Sequence, residues 1–229
     1  MSTDNVREHF EDEAKEFDSI ILKLIPHYST MVRVLVEAIP FERSVPLRVI
    51  DLGCGTGTVA AKVLESFPNA QVTCLDVAEN MIAVAKGKLA RHPEVRYLEA
   101  DFQFFDFSGK YDAVVSSLAI HHLLTDPDKQ TLYRRIYENL NAGGVFYNAD
   151  IILAPNDFLQ DTYMNEWRRF MAMNISKDEI EGEWIPKHQQ EDHPAKLADQ
   201  LSWLSGIGFT DVDVLWKYYN FAVYGGIRR

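Results

Sequence analysis

Apolar residues recur at steps of three and four near the start of the chain, at Phe10, Ala14, Phe17, Ile21 and Leu24, with acidic residues between them. That spacing predicts an amphipathic helix with one face to bury. Pro26 interrupts the pattern, and a second helical run follows through Met31, Val34, Leu35 and Ala38 until Pro40 stops it. Short apolar runs then alternate with helical ones. Leu47 to Leu52 predicts a strand, Thr58 to Phe67 a helix, Gln71 to Asp76 a strand and Asn80 to Leu89 a helix. Val95 to Glu99 and Tyr111 to Ser116 give two more strands. Leu132, Ile136 and Leu140 mark a helix expected to end at Gly143-Gly144, and Val145 to Ala149 gives a fifth strand.

Short apolar strands separated by helices imply a mostly parallel sheet covered on both faces. The stretch from Pro155 to about Pro194 breaks that rhythm with charged and aromatic residues and reads as an inserted cap. Beyond it, Leu197, Leu201 and Leu204 predict a helix closed by Gly206 and Gly208, and Val212 to Val223 predicts two strands broken near Tyr219-Asn220. The expected fold is α/β, Rossmann-like, with a mostly parallel, seven-stranded, doubly wound sheet and a small helical cap. One domain is expected over 1–229, divided into an N-terminal helical lid (1–44), a core (45–153), the cap (154–194) and a final helix and β-hairpin (195–229).

The chemistry centres on Val49-Ile50-Asp51-Leu52-Gly53-Cys54-Gly55-Thr56-Gly57, where a buried strand runs into three alternating glycines and then a helix. Glycines there let the backbone approach a ligand closely. Asp76 ends the next strand about 20 residues later, where a carboxylate can accept hydrogen bonds from both hydroxyls of a ribose. The third glycine follows the second by two residues, whereas a dinucleotide fingerprint separates them by three to seat pyrophosphate on the helix N-terminus. Asp51 before the loop would repel a pyrophosphate and favour a cation. Together these point to S-adenosylmethionine, with Asp101-Phe102 at the end of the third strand suited to the adenine amine and edge. The fourth strand ends at Ser116-Ser117, beside the first strand, so its end borders the ligand.

Composition narrows the partners. A formal charge of -11 over 229 residues disfavours nucleic acid, whose binding rests on Lys and Arg. The N-terminus lacks a signal pattern and no apolar run approaches a membrane span, so no membrane partner and a cytoplasmic location are expected. The two cysteines, Cys54 and Cys74, have neither metal-like nor disulfide-like spacing.

The motif order from about Leu47 to Asp150 resembles class I S-adenosylmethionine-dependent methyltransferases. That resemblance implies that Asp51, Gly53, Cys54, Gly55 and Gly57 cradle the methionine part, that Asp76 with Val77 holds the ribose, that Met81 packs on adenine, and that Asp101 and Phe102 meet its edge. The flanks are similar to a narrower family, the carboxy-S-adenosylmethionine synthases. Ile25-Pro26-His27-Tyr28-Ser29 matches a segment that contributes a tyrosine there, making Tyr28 a binding candidate, and Ser117 matches an asparagine position. That family holds its extra carboxylate with a cap arginine, whereas Trp184-Ile185-Pro186-Lys187-His188 offers only Lys187, which lacks a planar bidentate fork.

Methyl transfer is an in-line displacement that gains much from positioning, and an oxygen or nitrogen acceptor can require a general base. His122, His121 and Asp150 lie at strand ends where an acceptor would bind, with His122 preferred. No metal is expected, because adjacent side chains such as His121 and His122 diverge on most backbones and no nearby acid or thiol completes a ligand set. Trp167, Arg168, Trp184 and His188 could line an acceptor pocket in the cap. The expected function is methyl transfer to a small-molecule acceptor. Carboxy-S-adenosylmethionine synthesis and non-catalytic S-adenosylmethionine binding stand as alternatives, a nicotinamide-dependent dehydrogenase as a more distant one, and a homodimer is left open.

Overall fold

A computed structural model describes residues 17–229. Phe10 and Ala14 of the first predicted helix lie outside the described residues. Its continuation forms α1 (Phe17–Leu24), and α2 (Tyr28–Glu37) follows after a turn at His27, which holds φ 57°. Then come β1 (Arg48–Leu52), α3 (Thr58–Ser66), β2 (Gln71–Asp76), α4 (Glu79–Lys88), β3 (Arg96–Glu99) and β4 (Tyr111–Ser117). A 3₁₀ turn, Ile120–His122, leads to α5 (Asp126–Asn139) and β5 (Leu140–Ile151). The cap holds α6 (Asp157–Met171), α7 (Lys177–Glu179), a π-helical turn Ile180–Trp184 and α8 (Ile185–Glu191). The chain closes with α9 (Leu197–Ile207), β6 (Thr210–Tyr218) and β7 (Phe221–Ile227).

The seven strands form one sheet in the order β3-β2-β1-β4-β5-β7-β6. The five strands β3 to β5 pair in parallel, but β7 runs antiparallel to both β5 and β6, so the sheet is mixed. A tight turn between β6 and β7 fixes this reversal, because only antiparallel neighbours can be joined without a crossover. Alternate strand residues feed two cores. Val49, Cys74, Val115 and Ala149 face the side covered by α2 and α3, whereas Ile50, Leu75, Val114 and Phe146 face α5 and α9. Such two-sided burial explains why the strands read as near-continuous apolar runs.

The helix predicted to stop at Gly143-Gly144 ends at Asn139, and both glycines lie within β5. Gly143 N–H donates to the Arg228 carbonyl, and Arg228 N–H donates to the Gly144 carbonyl at 2.8 Å. A Cβ on Gly144 would stand 3.1 Å from the Asp112 carbonyl oxygen and 3.2 Å from that of Tyr111 in β4, so Gly144 serves a close strand approach, whereas Gly143 has open space around it and holds a φ of 81°. Among the described residues no single helix is long and apolar enough to cross a membrane; α1 and α2 are bent by 99° to each other, and Met31, Leu35 and Val36 of α2 are core residues.

Candidate active site

The site forms where β1, β2, β3 and β4 end on the same edge of the sheet, at the point where strand order reverses around β1. A cavity of about 360 Å³ opens there, within the range of small-ligand sites. Its floor is the loop after β1, where Gly53, Gly55 and Gly57 hold φ of 68°, 51° and 79°. Side chains rarely adopt that conformation, which is why the loop needs glycine. A Cβ on Gly53 would stand 2.3 Å from the Ala119 Cβ, so the loop can pass beneath the end of β4 only without a side chain.

Asp76 fixes the loop to β2. Its Oδ2 accepts a hydrogen bond from Gly55 N–H at 2.7 Å, and its Oδ1 accepts one from Ala78 N–H at 2.9 Å. These two amides orient the Asp76 carboxylate at the cavity wall. Thr56 Oγ1 donates to Asp18 of α1 at 2.6 Å, and Lys88 Nζ lies 2.7 Å from the same carboxylate. That contact ties α1 to the loop, and Phe17 reaches the cavity wall.

Gly53, Cys54, Gly55, Asp76, Val77 and Met81 line the cavity from the β1 and β2 ends and α4, and Asp101 and Phe102 line it beyond β3. Asp101 also accepts the Gln103 N–H at 2.8 Å, closing a turn that presents Phe102. Tyr28 and Ser117 complete this wall with Leu118 and Ala119, and Leu118 holds the positive φ of 53° that lets the chain turn off β4.

A methyltransferase domain family model matches residues 49–144. Over 93% of its length the chain is 24% identical to a carboxy-S-adenosyl-L-methionine synthase of Nautilia profundicola, covering 91% of that protein. A trans-aconitate 2-methyltransferase of Deinococcus radiodurans is 38% identical over 43% of the chain, which covers 35% of that protein. Human N-acetylserotonin methyltransferase, solved in complex with SAM, shares the fold with a TM-score of 0.64 at 18% identity. The match covers 97% of this chain, which spans 56% of that one. Residues 49–144 carry a methyltransferase domain, and these matches support a resemblance to the class I S-adenosylmethionine-dependent methyltransferases. S-adenosylmethionine is its cofactor.

In this methyltransferase two of the predicted cofactor residues stand back from the cavity. Gly57 faces α4 instead: a Cβ there would meet the Ala85 Cβ at 3.1 Å and Leu89 Cδ1 at 3.2 Å, so its small size serves helix packing. Asp51 is fully buried behind the wall and does not line it. Neither of its carboxylate oxygens has a hydrogen-bond partner among the described residues. Burial, with the Asp76 charge adding to it, pushes the Asp51 pKa up to about 7. An orphaned carboxylate close to Tyr28 and Cys54 is what a sulfonium and ammonium ligand would stabilise, and the donor set therefore fits the cofactor.

That burial has a measurable consequence. A carboxyl whose folded pKa lies above its unfolded value near 3.9 contributes stability below about pH 4 and loses it as pH rises through about 7. Asp51→Asn is therefore expected to raise the stability of the ligand-free protein at pH 8 by on the order of 2 kcal/mol, with no gain at pH 4. Urea unfolding at the two pH values checks the sign; equal effects at both would show that Asp51 does not titrate in this window.

The three predicted catalytic residues separate. His122 lines the cavity, but His121 and Asp150 do not reach it. Asp150 holds His121, with Oδ1 at 2.5 Å from its Nδ1 and Oδ2 accepting its backbone N–H at 3.1 Å. The two imidazoles do not diverge as expected. The 3₁₀ turn brings their ring centroids to 4.2 Å, and both face Asp192 of the segment after α8. Burial pulls the His121 pKa down, but Asp150 and Asp192 lift it to about 10. Burial and the His121 charge lower His122 to about 4, leaving it neutral near pH 7. Asp192 is held well below the usual carboxylate range, against the cost of burial, by His121 and His188.

From the cap, the cavity wall takes only Glu191 among the described residues. Trp167 is buried and donates its Nε1–H to the Leu24 carbonyl at 2.7 Å, docking α6 on α1. Arg168 pairs with Glu181 at 2.8 Å, Trp184 Nε1–H donates to Glu179, and Lys187 Nζ lies 5.0 Å over the Trp184 ring. His188 reaches Asp192 at 2.7 Å. None of these four, nor Lys187, lines the cavity. Glu191 and Asp192 carried no signal in the sequence, because they lie in a charged stretch whose docking against the 3₁₀ turn depends on the whole cap.

Proposed function

We propose that this methyltransferase moves the methyl group of S-adenosylmethionine to a small-molecule acceptor. The observation that carries this reading is the placement of His122 and Glu191, one from the turn after β4 and one from the cap, in the wall of the same cavity as Asp76 and the glycine loop. Asp76, oriented by two amides, would hold the ribose, and Phe102 and Met81 would flank the adenine. When bound, the cofactor supplies an electrophilic methyl on a sulfonium. His122 is neutral and can accept a hydrogen bond or a proton from an acceptor hydroxyl or amine. Phe17, Tyr28, Leu123 and Leu124 contribute apolar surface that excludes water around the reacting atoms. The net charge of -11 and the trans-aconitate methyltransferase relative support a small acceptor over nucleic acid.

A second reading, in which the enzyme modifies the cofactor itself, is favoured by the similarity to a carboxy-S-adenosylmethionine synthase along nearly the whole chain. Against it stands Lys187, which sits on Trp184 outside the cavity and supplies no fork for an extra carboxylate. Incubation with methyl-labelled donor and metabolite extracts is expected to give a small labelled product. Label found only in tRNA or protein overturns the small-acceptor reading, and no transfer to any pool would favour a binding protein without turnover. Mass spectrometry of cofactor extracted from purified protein is expected to show S-adenosylmethionine or its demethylated product. A carboxylated form would select the second reading.

A further inference from the structure

Behind the cavity wall, one oxygen of Asp192 stands between the two adjacent histidines. His121 Nε2 and His122 Nδ1 are each 3.4 Å from Asp192 Oδ1. The three residues place one donor atom each within 4.8 Å of one another. A separation of 3.4 Å is long for an N–H···O hydrogen bond, which clusters between about 2.7 and 3.2 Å. It matches the edge of a tetrahedron drawn around a cation with bonds of about 2.0–2.1 Å, the lengths typical of zinc with imidazole and carboxylate ligands. From this geometry we propose that His121, His122 and Asp192 form a binding site for one divalent transition-metal ion of the zinc type.

The surroundings are those of a metal centre. Asp150 accepts from His121 Nδ1–H and holds that hydrogen in place, so an ion that displaces the Nε2 proton, now shared with Asp192, would meet an Nε2 lone pair in a fixed ring orientation. Ligating histidines are commonly held in this way by a carboxylate. Asp150 is itself braced by Asn148 Nδ2 at 3.1 Å and by the Ile151 N–H at 2.9 Å. His188 Nδ1 holds the other oxygen of Asp192 at 2.7 Å, directing Oδ1 at the two rings. Ion binding would release the His121 proton and draw His122 Nδ1 from the Glu191 carbonyl 3.4 Å away, giving two neutral imidazoles and one carboxylate with a fourth position for a solvent molecule, as in open three-ligand sites. The histidines come from the turn after β4 and Asp192 from the end of the cap, so an ion here would clasp cap to core beside His122 and Glu191. None of the site's geometry involves the cofactor, but it shares His122 with the methyl-transfer reading: an ion on Nδ1 leaves that ring its Nε2–H, a donor to the acceptor in place of a proton acceptor.

The test is cobalt and zinc titration of the chelator-stripped full chain, which reads metal binding and not turnover. The wild type is expected to take up one Co²⁺ per chain with the intense visible absorption of a four-coordinate ion, displaced by one equivalent of Zn²⁺. Asp192→Asn is expected to weaken uptake by at least 100-fold, and Asp150→Asn or His188→Gln by about 10- to 100-fold. His92→Gln, at a half-buried histidine outside this cluster, is expected to leave uptake unchanged. S-adenosylhomocysteine binding by each variant reports that it is folded. Absence of stoichiometric uptake by the wild type would overturn the proposal, as would a weak six-coordinate spectrum or equal uptake by folded Asp192→Asn or His188→Gln; His121 would then bridge the two carboxylates as an imidazolium alone.

Discussion

Replacing Asp76 with alanine is expected to weaken S-adenosylhomocysteine binding by 100-fold or more, measured by titration calorimetry. Two effects combine. On the proposed reading the carboxylate accepts the ribose hydroxyls, and hydrogen bonds to a charged partner contribute about 1.5–3 kcal/mol each. It also holds Gly55 and Ala78 through their amides, so its loss frees the glycine loop that forms the cavity floor. About 3 kcal/mol corresponds to a little over 100-fold in affinity. Asp76→Asn separates the two effects, because an amide oxygen can keep one backbone contact while its NH₂ opposes a second donor. An intermediate loss is expected from it. Unchanged affinity in a folded Asp76→Ala protein would remove the ribose from this strand end.

Gly53→Ala is expected to be the most damaging substitution in the loop. The new Cβ would lie 2.3 Å from the Ala119 Cβ, and the residue holds a φ of 68° that costs an alanine about 1–2 kcal/mol by itself. Overpacking in a closed site adds about 1–3 kcal/mol. A stability loss of roughly 2–5 kcal/mol is expected in urea unfolding, together with a large loss of cofactor affinity as the loop and the end of β4 move apart. Combining it with Ala119→Gly removes the colliding atom. The double variant is expected to recover more than 1 kcal/mol relative to the sum of the singles, with the φ cost remaining. Gly55→Ala, with open space around its Cβ, is expected to show the φ cost alone. Equal damage at both positions would show that conformation, and not close approach, dictates glycine at Gly53.

The contrast between these positions shows what a single sequence can disclose. The strand, glycine loop and strand-end acids were legible because each depends on local chemistry. An apolar run buried on both sides, a backbone that must turn with positive φ, and a carboxylate at the next strand end are properties of short segments. Ambiguity entered where one residue type serves two physical ends. Gly143-Gly144 matched a helix stop, and only pairing with Arg228 at the far end of the chain made them strand residues. Gly57 belongs to the same spacing as Gly53, yet it faces Ala85 and not the cavity. Asp51 reads as a ligand-facing charge but lies buried behind the wall.

The side of the cavity proposed to meet the acceptor was less legible because it is assembled across long separations. His121 and His122 are neighbours in sequence, but their different roles arise from partners elsewhere. Asp150 on β5 and Asp192 after α8 enclose His121, whereas His122 remains at the cavity. Trp167 carries the cap to α1 through one hydrogen bond, and nothing in its own segment specifies that partner. Acidic residues in the cap look alike in sequence, and the fold alone sets Glu191 and Asp192 apart from those that face solvent.

A crystal structure with S-adenosylhomocysteine tests most directly that this cavity brings cofactor and acceptor together. The ribose hydroxyls are expected on the Asp76 carboxylate, with the sulfur facing the part of the cavity bordered by His122 and Glu191. A ribose away from Asp76, or a sulfur walled off from His122, would contradict that assignment.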